Sequence, residues 1–86
     1  MKTYRAYLTN DTIIEGSFRS VYNSAILWAR YEATSARIYE VTEDDWCRLN
    51  GIPAVPIATI TSFREYNLII ATSERTGNSA SYRING

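Results

Sequence analysis

Residues 20–35, SVYNSAILWARYEATS, decide the fold, because no other stretch is both long enough and periodic enough to make a helix of several turns. At about 100° per residue, Val21, Tyr22, Ala25, Ile26, Trp28, Ala29 and Ala33 gather within an arc of roughly 160°. An arc of that width is a face that buries, and its three alanines let a sheet approach closely. Ser20 stands at the N-cap position, its hydroxyl able to accept from a free N–H of the first turn, while Asn23, Arg30 and Thr34 fall on the opposite, solvated side. Leu27 and Tyr31, one turn apart, lie outside the apolar arc. Either a loop or the C-terminal segment covers them, or they form an exposed apolar pair that docks a partner.

The rest of the chain is written in strands and turns. Residues 3–8 alternate, with Tyr4, Ala6 and Leu8 on one side and Arg5 and Tyr7 on the other, and 12–17 return after the turn Thr9-Asn10-Asp11 to make an opening hairpin. After the helix, 36–41 is a third strand, with Ile38 on one face and Arg37, Tyr39 and Val41 on the other; it is expected beside the first. Thr42 and Asp45 have the spacing of a capping box at the start of a second short helix over 42–49, which Asn50-Gly51 ends. The segment 52–57 carries Pro53 and Pro56 and is an extended connector. Strands follow at 57–63, at 66–72 and, past the turn around Gly77-Asn78, at 80–84. The fold class is therefore α+β: one main helix packed on a small, mostly antiparallel sheet, with a second short helix, in a single domain of 86 residues.

Composition narrows the chemistry. There is no histidine, and Cys47 is the only cysteine, so a Cys/His zinc site, an intrachain disulfide and any His-activated nucleophile are impossible within one chain. The four glycines are scattered, which leaves no phosphate loop. Asp44 and Asp45 are adjacent, so their side chains diverge and cannot share a substrate. These features point away from an enzyme and from any cofactor or metal. The first residues, MKTYRAYLTN, lack the apolar run of a signal peptide, and no stretch is long enough to span a bilayer, so a cytoplasmic protein without membrane contact is expected.

The nine basic and nine acidic residues cancel, which argues against broad attraction to nucleic acid. Arginine outnumbers lysine eight to one, and there are seven tyrosines and two tryptophans. These are the residue types that dominate protein interfaces, although tyrosine is also a good strand residue.

Two surfaces stand out. If Tyr4, Ala6, Leu8, Ile14 and Ile38 face the helix, then Arg5, Tyr7, Glu15, Arg37 and Tyr39 line the opposite face of the sheet. Aromatics interleaved with arginines on a sheet are what single-stranded nucleic-acid platforms use. The alternatives are a protein-binding face, or one covered by the C-terminal half or by a second copy in a homodimer. The second surface is an acidic patch of Glu40, Glu43, Asp44 and Asp45, whose last three residues also have a purely structural explanation in the first turn of a helix.

The order of elements carried by MKTYRAYL, TIIEGSF, SVYNSAILWARYEA and ARIYEV resembles the hairpin, helix and strand layout of small phage or mobile-element proteins, including anti-CRISPR inhibitors. The resemblance covers the first half of the chain and is one of layout, so no residue roles come with it. It implies a phage-encoded anti-defence inhibitor, acting in the host cytoplasm without catalysis by covering a surface of a bacterial defence or regulatory protein. The contact residues expected, from the surfaces themselves, are Arg5, Tyr7, Arg37 and Tyr39, with Glu40, Glu43, Asp44 and Asp45, and with Leu27 and Tyr31 on the helix.

Overall fold

The structure, a computed structural model, describes residues 2–41, 56–74 and 76–84. The chain opens with a hairpin of β1 (Thr3–Leu8) and β2 (Ile13–Gly16). Its turn closes through Leu8 N–H donating to Thr12 O at 3.0 Å, and Asn10 Oδ1 accepts from Thr12 N–H at 3.0 Å. Asp11 takes a positive φ of 69°, a conformation that Asp tolerates because its short polar side chain can bond locally.

The helix α1 runs Phe18–Glu32, three residues earlier at its start than the sequence pattern places it. Its N-cap is Ser17, not Ser20: the Ser17 backbone is extended, and its Oγ accepts from Ser20 N–H at 3.3 Å. Phe18 extends the helix because its ring has somewhere to go, edge-on to Tyr4 at 5.3 Å and stacked on Tyr22 at 5.5 Å. The helix ends where Ala33 turns left-handed (φ 54°), its N–H still donating to Ala29 O. Thr34 follows and is buried rather than solvated as expected, since the chain has by then left the helix and turns under it towards the sheet.

β3 (Ala36–Val41) lies antiparallel beside β1, Ala6 opposite Ile38. The later strands, β4 (Ala58–Phe63), β5 (Leu68–Ser73) and β6 (Ser79–Arg83), continue by simple hairpin neighbours. The result is one six-stranded antiparallel sheet in the order β2-β1-β3-β4-β5-β6, with α1 across one face. The sequence places a strand at 66–72, but Arg64–Tyr66 is instead a 3-10 turn ending in left-handed Asn67 (φ 55°), and β5 starts only at Leu68. That turn is the one short helical piece among the described residues. The second helix expected at 42–49, with Trp46 and Cys47, lies outside them, as does most of the connector 52–57.

Opposite residues of neighbouring strands share a face, so the register sorts the whole sheet. Tyr4, Ala6, Leu8, Ala36, Ile38, Ala58, Ile60, Ile69 and Ala71 pack under the helix residues Val21, Ala25, Ile26 and Ala29. Ile38, Ile60, Ile69 and Val21 are the largest side chains fully removed from water. The alanines around them are what let the helix sit close. Serines clamp the helix exit: Ser62 Oγ donates to Thr34 O at 2.6 Å, and Ser35 Oγ accepts from Ser62 N–H at 3.1 Å.

Candidate partner-binding face

Among the described residues no helix lies on the second face of the sheet. A strand shows alternate residues to opposite sides, so the side chains between the core positions all emerge here: Ile13 and Glu15 from β2, Arg5 and Tyr7 from β1, Arg37 and Tyr39 from β3. The described strands of the C-terminal half do not cover this face, as one alternative had it. They join the sheet edge to edge and enlarge the face with Thr59, Thr61 and Phe63 from β4 and Leu68 and Ile70 from β5.

Arg5, Tyr7, Glu15 and Tyr39 form a connected group. Arg5 stands directly across from Glu15 on one side and Tyr39 on the other. Its Nε donates to Glu15 Oε2 at 2.7 Å, Nη2 donates to the same oxygen, and Nη1 donates to the Tyr7 hydroxyl at 3.3 Å. These bonds to Tyr7 and Glu15 raise the guanidinium pKa, so Arg5 stays charged, with its charge already balanced. Tyr7 and Tyr39, diagonal neighbours on β1 and β3, meet edge to face with centroids 5.7 Å apart and planes at 69°, the arrangement that the quadrupoles of aromatic rings favour.

Beside them Arg37, directly across from Tyr7, is exposed, and no carboxylate among the described residues pairs with it. An open trough of about 860 Å³ runs over this face, with Tyr7, Ser35, Arg37, Tyr39, Thr59 and Thr61 among its lining residues. What the trough presents is two aromatic edges, hydroxyl groups that both donate and accept, and one guanidinium.

The other residues expected at a contact surface do not converge here. Glu40 is opposite Tyr4 and so belongs to the helix side of the sheet, where Lys2 Nζ lies 3.5 Å from its carboxylate. It is separated from Arg37 and Tyr39 by the thickness of the sheet, because one step along a strand reverses the side chain. Glu43, Asp44 and Asp45 lie outside the described residues. Leu27 and Tyr31 are exposed, at 52% and 66%, on the outer surface of the helix, on the far side of the domain from the open sheet face. Residue types alone did not single out Thr59, Thr61, Phe63 or Ile70. The alternation in ATITSF and LIIATS held that information, but only the pairing of β3 with β4 says which half of each alternation joins Tyr7 and Arg37.

Among the described residues no group of three Asp, Glu, Cys or His side chains is placed to hold a metal ion, and no helix is long and apolar enough to cross a membrane. Fold and face together define a small α+β domain in which one helix covers one side of a six-stranded antiparallel sheet and the other side presents a Tyr/Arg face that no described residue covers. Comparison with protein-family models, with curated proteins and with solved structures gives no match.

Proposed function

We propose that this chain is a non-enzymatic protein-binding module that presents its open sheet face to a protein partner and blocks a surface there, in the manner of a phage-encoded inhibitor of a bacterial defence or regulatory protein. The observation that carries the reading is the Tyr7–Tyr39 pair, held in place by Arg5 beside exposed Arg37 on a sheet face that nothing described covers. Large side chains already fixed by their neighbours lose little rotamer freedom on docking, which is why such groups dominate interface energies. A nucleic-acid platform on the same face is the rival. It has the aromatics, but Arg5 is neutralised in place by Glu15 and the chain has no net charge, which leaves Arg37 as the face's phosphate-seeking group on β1 and β3.

The test uses the tagged chain as bait in a bacterial lysate, with and without nuclease, beside the Tyr7→Ala/Tyr39→Ala variant. The proposal expects a protein captured in stoichiometric amount, insensitive to nuclease and lost with the double variant. Capture that disappears with nuclease overturns it. In that case Arg5→Glu with Arg37→Glu abolishes oligonucleotide binding, and the wild-type affinity falls steeply with salt.

A further inference from the structure

The two edges of the sheet are finished differently. In the β5–β6 hairpin, Ser73 N–H donates to Asn78 O at 2.9 Å and, at the far end, Ile84 N–H donates to Asn67 O at 3.2 Å. Hydrogen-bonded and non-hydrogen-bonded pairs alternate along an antiparallel ladder. Between those two ends, Ala71 with Ala80 and Ile69 with Tyr82 are therefore the bonded pairs. Ser79, Ser81 and Arg83 are the non-bonded positions, and they turn their N–H and C=O groups away from β5. The 3.2 Å contact between the Thr72 and Ser79 hydroxyls agrees, since side chains approach more closely at such positions.

β6 thus offers an outward row of donors and acceptors. Ser79, Ala80, Ser81 and Arg83 are exposed, and the strand contains neither proline nor lysine, which commonly guard an edge. The opposite edge is guarded. The bond from Leu8 N–H to Thr12 O sets the parity there, so only Ile13 and Glu15 of the four-residue β2 face outward, and Glu15 carries the charge paired with Arg5.

We propose that β6 pairs with β6 of a second copy, antiparallel about a two-fold axis through Ser81. That register sets Ser81 opposite Ser81 and Ser79 opposite Arg83. All three are outward-facing positions, so every outward N–H of each strand meets an outward C=O of the other. It also sets Ala80 opposite Tyr82 on the helix side, a small residue against the large one that packs on the core beside Tyr22. Like charges meet nowhere in the register. The one charged residue of the strand, Arg83, faces a serine. Because the axis stands normal to the sheet, both helices lie on one side and both Tyr7–Arg37–Tyr39 faces look out from the other. The dimer offers its partner two copies of the face, although the pairing itself does not depend on the partner-binding reading.

The mass of the whole chain is measured by light scattering and sedimentation over a range of concentrations, for the wild type, for Ser81→Lys, for Ser81→Glu and for an equal mixture of the two variants. Ser81 is exposed, so both variants keep the wild-type circular dichroism. The wild type is expected to be a dimer. Either variant alone puts like charges directly opposite each other at the axis and weakens the dimer by up to about fivefold, and the mixture recovers it through opposite charges. A wild type that stays monomeric up to about 1 mM, variants that pair as well as the wild type, or a mixture no tighter than its components overturns the proposal. So does an assembly larger than two, since pairing about this axis closes at the dimer.

Discussion

Replacing Tyr7 and Tyr39 by alanine, singly and together, separates a binding face from a structural one. Tyr7 is 42% exposed. A fully buried tyrosine withdraws roughly 150–250 Å² from water, so Tyr7 withdraws on the order of 100 Å², worth about 2.5 kcal/mol as an upper bound that compact unfolded chains reduce. Each single substitution is then expected to cost about 1–2 kcal/mol. The edge-to-face contact at 5.7 Å should appear as a coupling of about 0.5–1.5 kcal/mol in the double-mutant cycle, so the pair together costs about 2–3 kcal/mol. At roughly 0.05–0.15 kcal/mol per residue, an 86-residue domain holds about 4–13 kcal/mol, so the double variant stays folded, with a midpoint roughly 10–20 °C lower. Ile38→Ala, one step along the strand and fully buried between Ala6 and Ala58, is the contrast: about 2–5 kcal/mol from a single substitution, because neither neighbour can fill the space. Urea unfolding of all five proteins measures these values, and capture from a lysate measures binding. A double variant that is unfolded at 25 °C, or one that is folded and still captures the wild-type partner, refutes the reasoning.

Three further outcomes are expected. Ser17→Ala should cost about 1 kcal/mol in urea unfolding through loss of the cap to Ser20 N–H, whereas Ser20→Ala should stay within about 0.5 kcal/mol; the reverse order would return the cap to Ser20. Ala33→Gly should stabilise by about 0.5–1 kcal/mol, because a left-handed residue at φ 54° strains any side chain and glycine has none to strain; a loss of thermal midpoint would contradict this. Burial, and after it the neighbouring Tyr82 phenol, raise the Tyr22 pKa. The unfolded chain therefore gives up this proton first, near the ordinary tyrosine value of about 10. Stability from this group is complete below that pH and is lost as pH rises through the higher folded value. Urea midpoints between pH 8 and 11 should fall less steeply for Tyr22→Phe than for the wild type.

Residue pattern alone was enough wherever the signal was local. Strands 3–8 and 36–41 follow from strict alternation, and the Gly77 turn from the left-handed backbone (φ 73°) that glycine adopts without cost. The buried stripe of α1 follows from its period, because apolar side chains repeating at the period of an element can all leave water only on one side of it. The ends of elements were less legible. Ser17 and Ser20 are both competent caps, and the helix begins at Phe18 because of a contact with Tyr4, fourteen residues away. Tyr66 reads as the first residue of a strand, yet the chain must turn at Arg64–Tyr66 to bring Leu68 back against Phe63.

The sequence by itself determined that Arg5 shares a side with Tyr7, that Arg37 shares one with Tyr39, and that Glu40 lies on the other side from Tyr39, since a side-chain period of two leaves no choice once a strand exists. It also determined, through the lack of histidine and the lone Cys47, which chemistries the chain cannot perform. Only the tertiary structure decided that the β1 pair and the β3 pair meet on one face, that the C-terminal strands widen this face instead of covering it, and that Leu27 and Tyr31 stand apart from it. Those outcomes depend on which strands pair and in what register, and pairing is settled by burying one shared set of side chains under the helix, a property of the whole core that no single segment carries.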